Sequence, residues 1–221
     1  MYLEIVLVYI IIFLFFCMEF LLHYKFVNTI RPDLTEQQRA YIMGIKSSLS
    51  MFLIGLYFNY HYFTSKFDES VFFSNLESKG GMNFGKVIVL YFTAYLVMDI
   101  YIGYYDYRKY MDTLSGYFHH TVYSIVNILT LYIGVYPIYF LHMLSELPTL
   151  ILSVGRFDSS LRDDNLFGVT FFLTRIVYHI FLIWAFKDNS LLFYLGSAAL
   201  MLHIYWFYLW ITKYFFKKSI Q

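Results

Sequence analysis

Seven apolar runs take up most of this chain, and each comes near the roughly 20 residues that an α-helix needs to cross a bilayer. They cover residues 2–22, 41–63, 84–104, 118–136, 138–154, 167–186 and 191–212. The runs are continuous and do not alternate, so the strands of a β-barrel are not expected. A chain of 221 residues, 60% hydrophobic and only 14% charged, cannot hide that much apolar surface in a water-soluble core. The expected fold class is all-α: a polytopic membrane protein of about seven transmembrane helices.

Two of the runs leave a choice. The fourth and fifth are separated only by Gly134-Val135-Tyr136-Pro137, a plausible tight turn, so they read either as two spans or as one re-entrant hairpin. Pro148 lies inside the fifth run and predicts a kink, because it lacks a backbone donor. The first run has neither a basic leader nor a small-residue cleavage site, and reads as a retained anchor. Aromatic residues make up 24%, and tyrosine suits the membrane interface, where its ring is buried and its hydroxyl wet. Cys17 is the only cysteine, so no internal disulfide can form. A net charge of +1 gives no bulk attraction to nucleic acid.

The basic residues between the runs are unevenly shared. On one side fall Lys25, Arg31, Arg39, Lys46, Arg108, Lys109, Arg156, Arg162, Lys213, Lys217 and Lys218, eleven in all; on the other are Lys66, Lys79, Lys86 and Lys187. The positive-inside rule then predicts an odd number of spans, a lumenal or external N-terminus and a cytosolic C-terminus. The stretch 64–83 becomes the longest lumenal loop.

Ionisable groups within spans are costly and are functional candidates by default. Here they are Glu19, Asp99, His119, His120, His142, Glu146, Arg175, His179 and His203. Glu19 is expected to snorkel to the cytosolic interface. His119 and His120 are adjacent and point about 100° apart on a helix. His120, Tyr123, Ser124 and Asn127 share one face by three-and-four spacing, which predicts a polar stripe. The plainer reading is a pair of interfacial histidines at a helix start. Asp99, His120, Glu146 and Arg175 are expected to line one interior, with Arg175 as counter-charge. Adjacent histidines chelate poorly and no HxxxH pair occurs, so no metal site is expected. No G-x-S-x-G, Walker or dinucleotide motif is present, and no cofactor is expected.

Four pieces resemble the TLC-domain family, named for translocation-associated membrane proteins, Lag1-type ceramide synthases and a neuronal ceroid lipofuscinosis protein. They are Ala94-Tyr95-Leu96-Val97-Met98-Asp99; His119-His120 about 20 residues on; Ser145-Glu146-Leu147-Pro148-Thr149; and Phe172-Leu173-Thr174-Arg175-Ile176 followed by His203-Ile204-Tyr205-Trp206-Phe207. The resemblance implies an N-terminal anchor and loop over 1–33, a six-helix TLC domain over 34–218 and a short cytosolic tail at 219–221. It also implies residence in the endoplasmic reticulum. Ceramide synthases carry a His-Asp-x-Ser-Asp run after the histidines; here the stretch reads Leu144-Ser145-Glu146-Leu147-Pro148-Thr149, with Glu146 as its one acid. The chain resembles the non-synthase branch in that respect.

Three functions follow as expectations. The first is a membrane protein that binds lipid in an intramembrane cavity lined by Asp99, His120, Tyr123, Asn127, Glu146, Arg175 and His203, and so affects membrane lipid composition and homeostasis. The second is an acyl-CoA-dependent N-acyltransferase acting on a sphingoid-like amine. In it His119 or His120 is the general base, and Asp99 or Glu146 orients the imidazole or holds the amine. The third is a membrane cargo or chaperone-like adaptor, with Lys217-Lys218 one position out of register for a dilysine retrieval signal. The partners expected are membrane lipids, with acyl-CoA or a sphingolipid in the second reading.

Overall fold

A computed structural model describes residues 2–217, so the expectation for the tail at 219–221 lies outside the described residues. Among those described the chain is helical, with no strand. The α-helices are α1 (Tyr2–Lys25), α2 (Glu36–Thr64), α3 (Glu69–Ser78), α4 (Gly81–Tyr105), α5 (His119–Ile133), α6 (Tyr136–Leu141), α7 (Glu146–Phe157), α8 (Asp164–Phe171), α9 (Tyr178–Ala185) and α10 (Ser190–Lys217). Wider π-helical turns continue α1 through Phe26–Ile30, precede α5 at Thr113–Phe118 and join α8 to α9 through Phe172–Val177.

Six helical stretches are long and apolar enough to cross a membrane among the described residues: Val6–Ile30, Glu36–Thr64, Gly81–Tyr105, Tyr136–Phe157, Asp164–Ala185 and Ser190–Phe215. The protein is therefore an all-helical, multi-pass membrane protein. These six correspond to every expected run except the fourth. The fourth is helical too, but His119, His120 and Asn127 make it less apolar than the others. Gly134 closes α5 at φ 80°, a left-handed conformation that suits glycine, and its N–H bonds the Thr130 carbonyl. The kink expected at Pro148 is a break just before it. A 3-10 turn over His142–Ser145 separates α6 from α7, and the proline sits in the first turn of α7, where a missing N–H costs little. The stretch expected as a loop at 64–83 contains α3, started by the Asp68 carboxylate accepting from the Val71 N–H at 3.0 Å.

The chain divides into two compact units. One comprises residues 1–43 and 64–139, the other 44–63 and 140–221. In the first, α4 is the central helix, with α1 and α5 packed against it. Its buried face includes Ala94, Leu96, Met98 and Ile102. Glu19 does not snorkel. It is 2% exposed and turned inward, with the Tyr91 hydroxyl donating to its Oε1 at 2.8 Å. A carboxyl offered a donor inside the bundle is better satisfied there than along a lipid-facing surface. Tyr91→Phe is expected to cost about 0.5–1.5 kcal/mol, the range for losing one net hydrogen bond. Unfolding in mixed micelles measures it, with exposed Tyr24→Phe as a near-neutral control.

In the second unit, residues 44–63 of α2 lie against the helix break. A Cβ on Gly55 would come within 2.9 Å of the Leu144 backbone nitrogen. Asn59 Nδ2 donates to the carbonyls of Gly55 at 2.8 Å and Leu141 at 3.0 Å, and the Tyr178 hydroxyl donates to Asn59 Oδ1. One buried amide thus uses both its donor and acceptor sides where the 3-10 turn interrupts the regular backbone ladder. Phe58 against Phe140 and Tyr62 against Phe186 pack alongside. Because the clashing atom is backbone, Gly55→Ala is expected to destabilise by about 1–3 kcal/mol, as overpacking does; unchanged unfolding would contradict that close approach.

Candidate functional site

Asp99 lies near the end of α4 and is 7% exposed. His119 and His120 open α5, immediately after the π-helical turn. The Asp99 carboxylate is shared between two partners. Its Oδ1 accepts from the Tyr107 hydroxyl, and its Oδ2 lies 3.1 Å from His120 Nδ1. The second contact is not aligned as a hydrogen bond, so its attraction is chiefly electrostatic. A ring nitrogen that close to a carboxylate oxygen carries the proton, since two facing lone pairs would repel. His120 Nε2 is then the nitrogen with the available lone pair. His119 takes another direction and packs against Tyr123, with ring centroids 4.2 Å apart and ring planes tilted by 32°. The Ser124 hydroxyl donates to the His120 carbonyl at 2.8 Å. Asn127, one turn further on, is 0% exposed, and neither end of its amide finds a partner among the described residues.

The connection between α4 and α5 closes this end of the unit. Asp106 holds Arg39 Nη2 at 3.2 Å and lies 3.8 Å from His23 Nε2, while Lys109 Nζ reaches Glu36 at 2.7 Å. Tyr107 is 2% exposed. Burial first, and the Asp99 carboxylate second, hold its phenol well above the ordinary tyrosine range. It therefore remains a hydrogen-bond donor throughout the physiological range.

The second unit has its own polar cluster. The π-helical turn Phe172–Val177 carries Arg175, whose Nε donates to the Ser145 carbonyl at 2.8 Å. Its Nη2 donates to Thr149 Oγ1 at 2.6 Å and lies 3.8 Å from Glu146 Oε1. The guanidinium also sits 5.1 Å above the Phe171 ring. The Arg175 carbonyl lies 3.3 Å from His203 Nδ1, which in turn lies 3.2 Å from His179 Nδ1. His142 meets the His179 ring edge-on at 4.8 Å. Among the described residues, no three histidine, cysteine or acidic side chains form a metal-ligating group.

Of the residues singled out in the sequence, Asp99 and His120 meet directly in the first unit, where Tyr123 and Asn127 also lie. Glu146, Arg175 and His203 gather in the second. Sequence reasoning did not find Tyr107, whose approach to Asp99 depends on the path of an irregular connection. Nor did it find Asn59 and Tyr178, which meet across 119 positions. In the structure, π-helical turns fall beside the His119-His120 pair and on Arg175, and such turns often occur at functional positions. No family model, curated protein or solved structure matches the chain.

Proposed function

We propose that the chain is a TLC-type membrane protein that binds lipid through the polar side chains of its spans and alters membrane lipid composition. The observation that carries this reading is the Asp99–His120 contact of 3.1 Å between helices α4 and α5, each otherwise dominated by apolar residues. A carboxylate and an imidazole at such a place are costly, and an ionisable pair kept there despite the cost is a candidate for serving a ligand or a reaction. A lipid hydroxyl, amine or amide matches that pair, because an imidazole lone pair accepts from its donor while its chain stays among apolar helices. The resemblance in the four motifs supports the same class, along with residence in the endoplasmic reticulum.

In this reading the protein has seven spans. Six π-helical residues and 15 α-helical residues from Thr113 to Ile133 supply the fourth, against the roughly 20 that a crossing needs. An odd number of spans agrees with the basic asymmetry and makes the C-terminus cytosolic. A glycan acceptor inserted beside Lys79 is expected to be glycosylated; an unmodified but protease-accessible site on the cytosolic side would reverse the topology. The lipid profile of cells with and without the chain tests the function, and identical profiles would count against it.

The Asp99–His120 geometry also favours a second reading, acyl transfer from acyl-CoA to a sphingoid-like amine. His120 Nε2 takes a proton from the amine as its nitrogen bonds to the thioester carbonyl carbon. Collapse of the tetrahedral intermediate breaks the carbon–sulfur bond, and the departing CoA thiolate recovers the proton from the imidazolium. Purified protein with acyl-CoA and a long-chain amine should then form the amide and release free thiol in equal amounts. No amide above a His120→Gln control would remove this reading and leave lipid binding.

A further inference from the structure

We infer that Tyr107 is a positioning residue: its hydroxyl, delivered by the connection between α4 and α5, holds the Asp99 carboxylate on the His120 ring. The inference rests on Asp99–His120 being the working pair. Tyr107 lies outside both helices, yet it is 2% exposed and donates to Asp99 Oδ1, the oxygen that His120 does not face. A terminal carboxylate torsion is broad and roughly two-fold. With Oδ1 pinned by a phenol, Oδ2 is kept toward His120 Nδ1. Without that donor, Oδ1 is a buried acceptor with a hydrogen bond missing, and the carboxylate gains by turning away to find one.

The connection is built to keep Tyr107 in place. Asp106, just before it, is held by Arg39, and Lys109, two residues after it, by Glu36. Further along, Met111 is so close to Gly103 and Gly116 that a Cβ at either glycine would collide with it. These contacts pull the connection down at three points around the tyrosine. If the ring only filled space, phenylalanine would do the same work. The hydroxyl placed on a carboxylate that already has an imidazole partner is what phenylalanine cannot replace.

The test is the tautomer of His120, read by NMR from protein with nitrogen-15-labelled histidine in lipid nanodiscs, with His120→Gln assigning the signal. The wild type is expected to hold the proton on Nδ1. Tyr107→Phe should raise the share of the Nε2–H form by roughly three- to tenfold, the ratio set by losing a net hydrogen bond of ordinary strength. Asp99→Asn should move the ratio in the same direction. A wild-type ratio in Tyr107→Phe, alongside a changed one in Asp99→Asn, would overturn the positioning role. If Tyr107→Phe does not fold, Lys109→Met at the exposed anchor should give a smaller shift in the same direction, and no shift would overturn the inference equally. A lipid profile indifferent to His120→Gln, with the tautomer shift present, would sink the proposed function and leave the positioning role standing.

Discussion

Arg175→Met is expected to lower the unfolding free energy by about 2–4 kcal/mol, below the full range for removing one partner of a fully buried ion pair, because the Arg175 and Glu146 side chains are 12% and 21% exposed. The arginine satisfies the Ser145 carbonyl and the Thr149 hydroxyl, and it is the counter-charge 3.8 Å from Glu146. Methionine fills much of the same volume and supplies none of those donors. Ser145 is the last residue of the 3-10 turn, so the arginine's donor is lost where the helix is already interrupted. Glu146→Gln should cost much less. The remaining arginine keeps two hydrogen bonds, and the amide oxygen can still accept. The double variant Arg175→Met with Glu146→Gln should recover part of the loss, because it removes the stranded carboxylate. Equilibrium unfolding in mixed micelles measures all three. Equal losses for the two single variants would show that the 3.8 Å pair, not the backbone and hydroxyl contacts, dominates this cluster.

His120→Gln is expected to reduce the lipid-directed activity far more than His119→Gln. Two adjacent histidines look interchangeable in sequence. The structure gives them different partners: His120 faces Asp99, and His119 packs against the Tyr123 ring. In the acyl-transfer reading, loss of a positioned general base lowers the rate by about 10²–10⁴-fold. Loss of the His119 ring removes an aromatic contact worth about 0.5–1.5 kcal/mol, felt in stability and only indirectly in turnover. Amide formation by each purified variant separates the two. A larger loss in His119→Gln than in His120→Gln would reverse the assignment.

The helical architecture was legible because a bilayer demands long apolar runs, and that demand is written in consecutive residues. Six runs appear as helices of sufficient length and hydropathy. The fourth is harder because the side chains that suggest function also reduce its apolar character. The Pro148 signal was also real, although the chain answers it with a 3-10 turn before the proline and not a bend at it. Glu19 turns inward for a physical reason that its local sequence does not carry. From sequence it is a carboxylate near one end of an apolar run, and its inward turn depends on Tyr91, 72 positions away. The polar stripe on α5 showed that His120 and Asn127 share a face. It carried no information about Tyr107, since an irregular connection has no periodicity to read. The pairing of Arg175 with Ser145 and Thr149 was likewise out of reach, although all three lie in segments that the family resemblance singled out.

The most direct measurement is the lipid profile of cells expressing the double variant His119→Gln with His120→Gln at wild-type level. Glutamine preserves polarity and approximate size but removes the titrating base. The expected result is normal expression and folding with a profile matching that of cells lacking the protein. A normally expressed double variant that leaves the lipid profile as the wild type does would contradict the account, because neither catalysis nor lipid selection could then depend on the histidine pair.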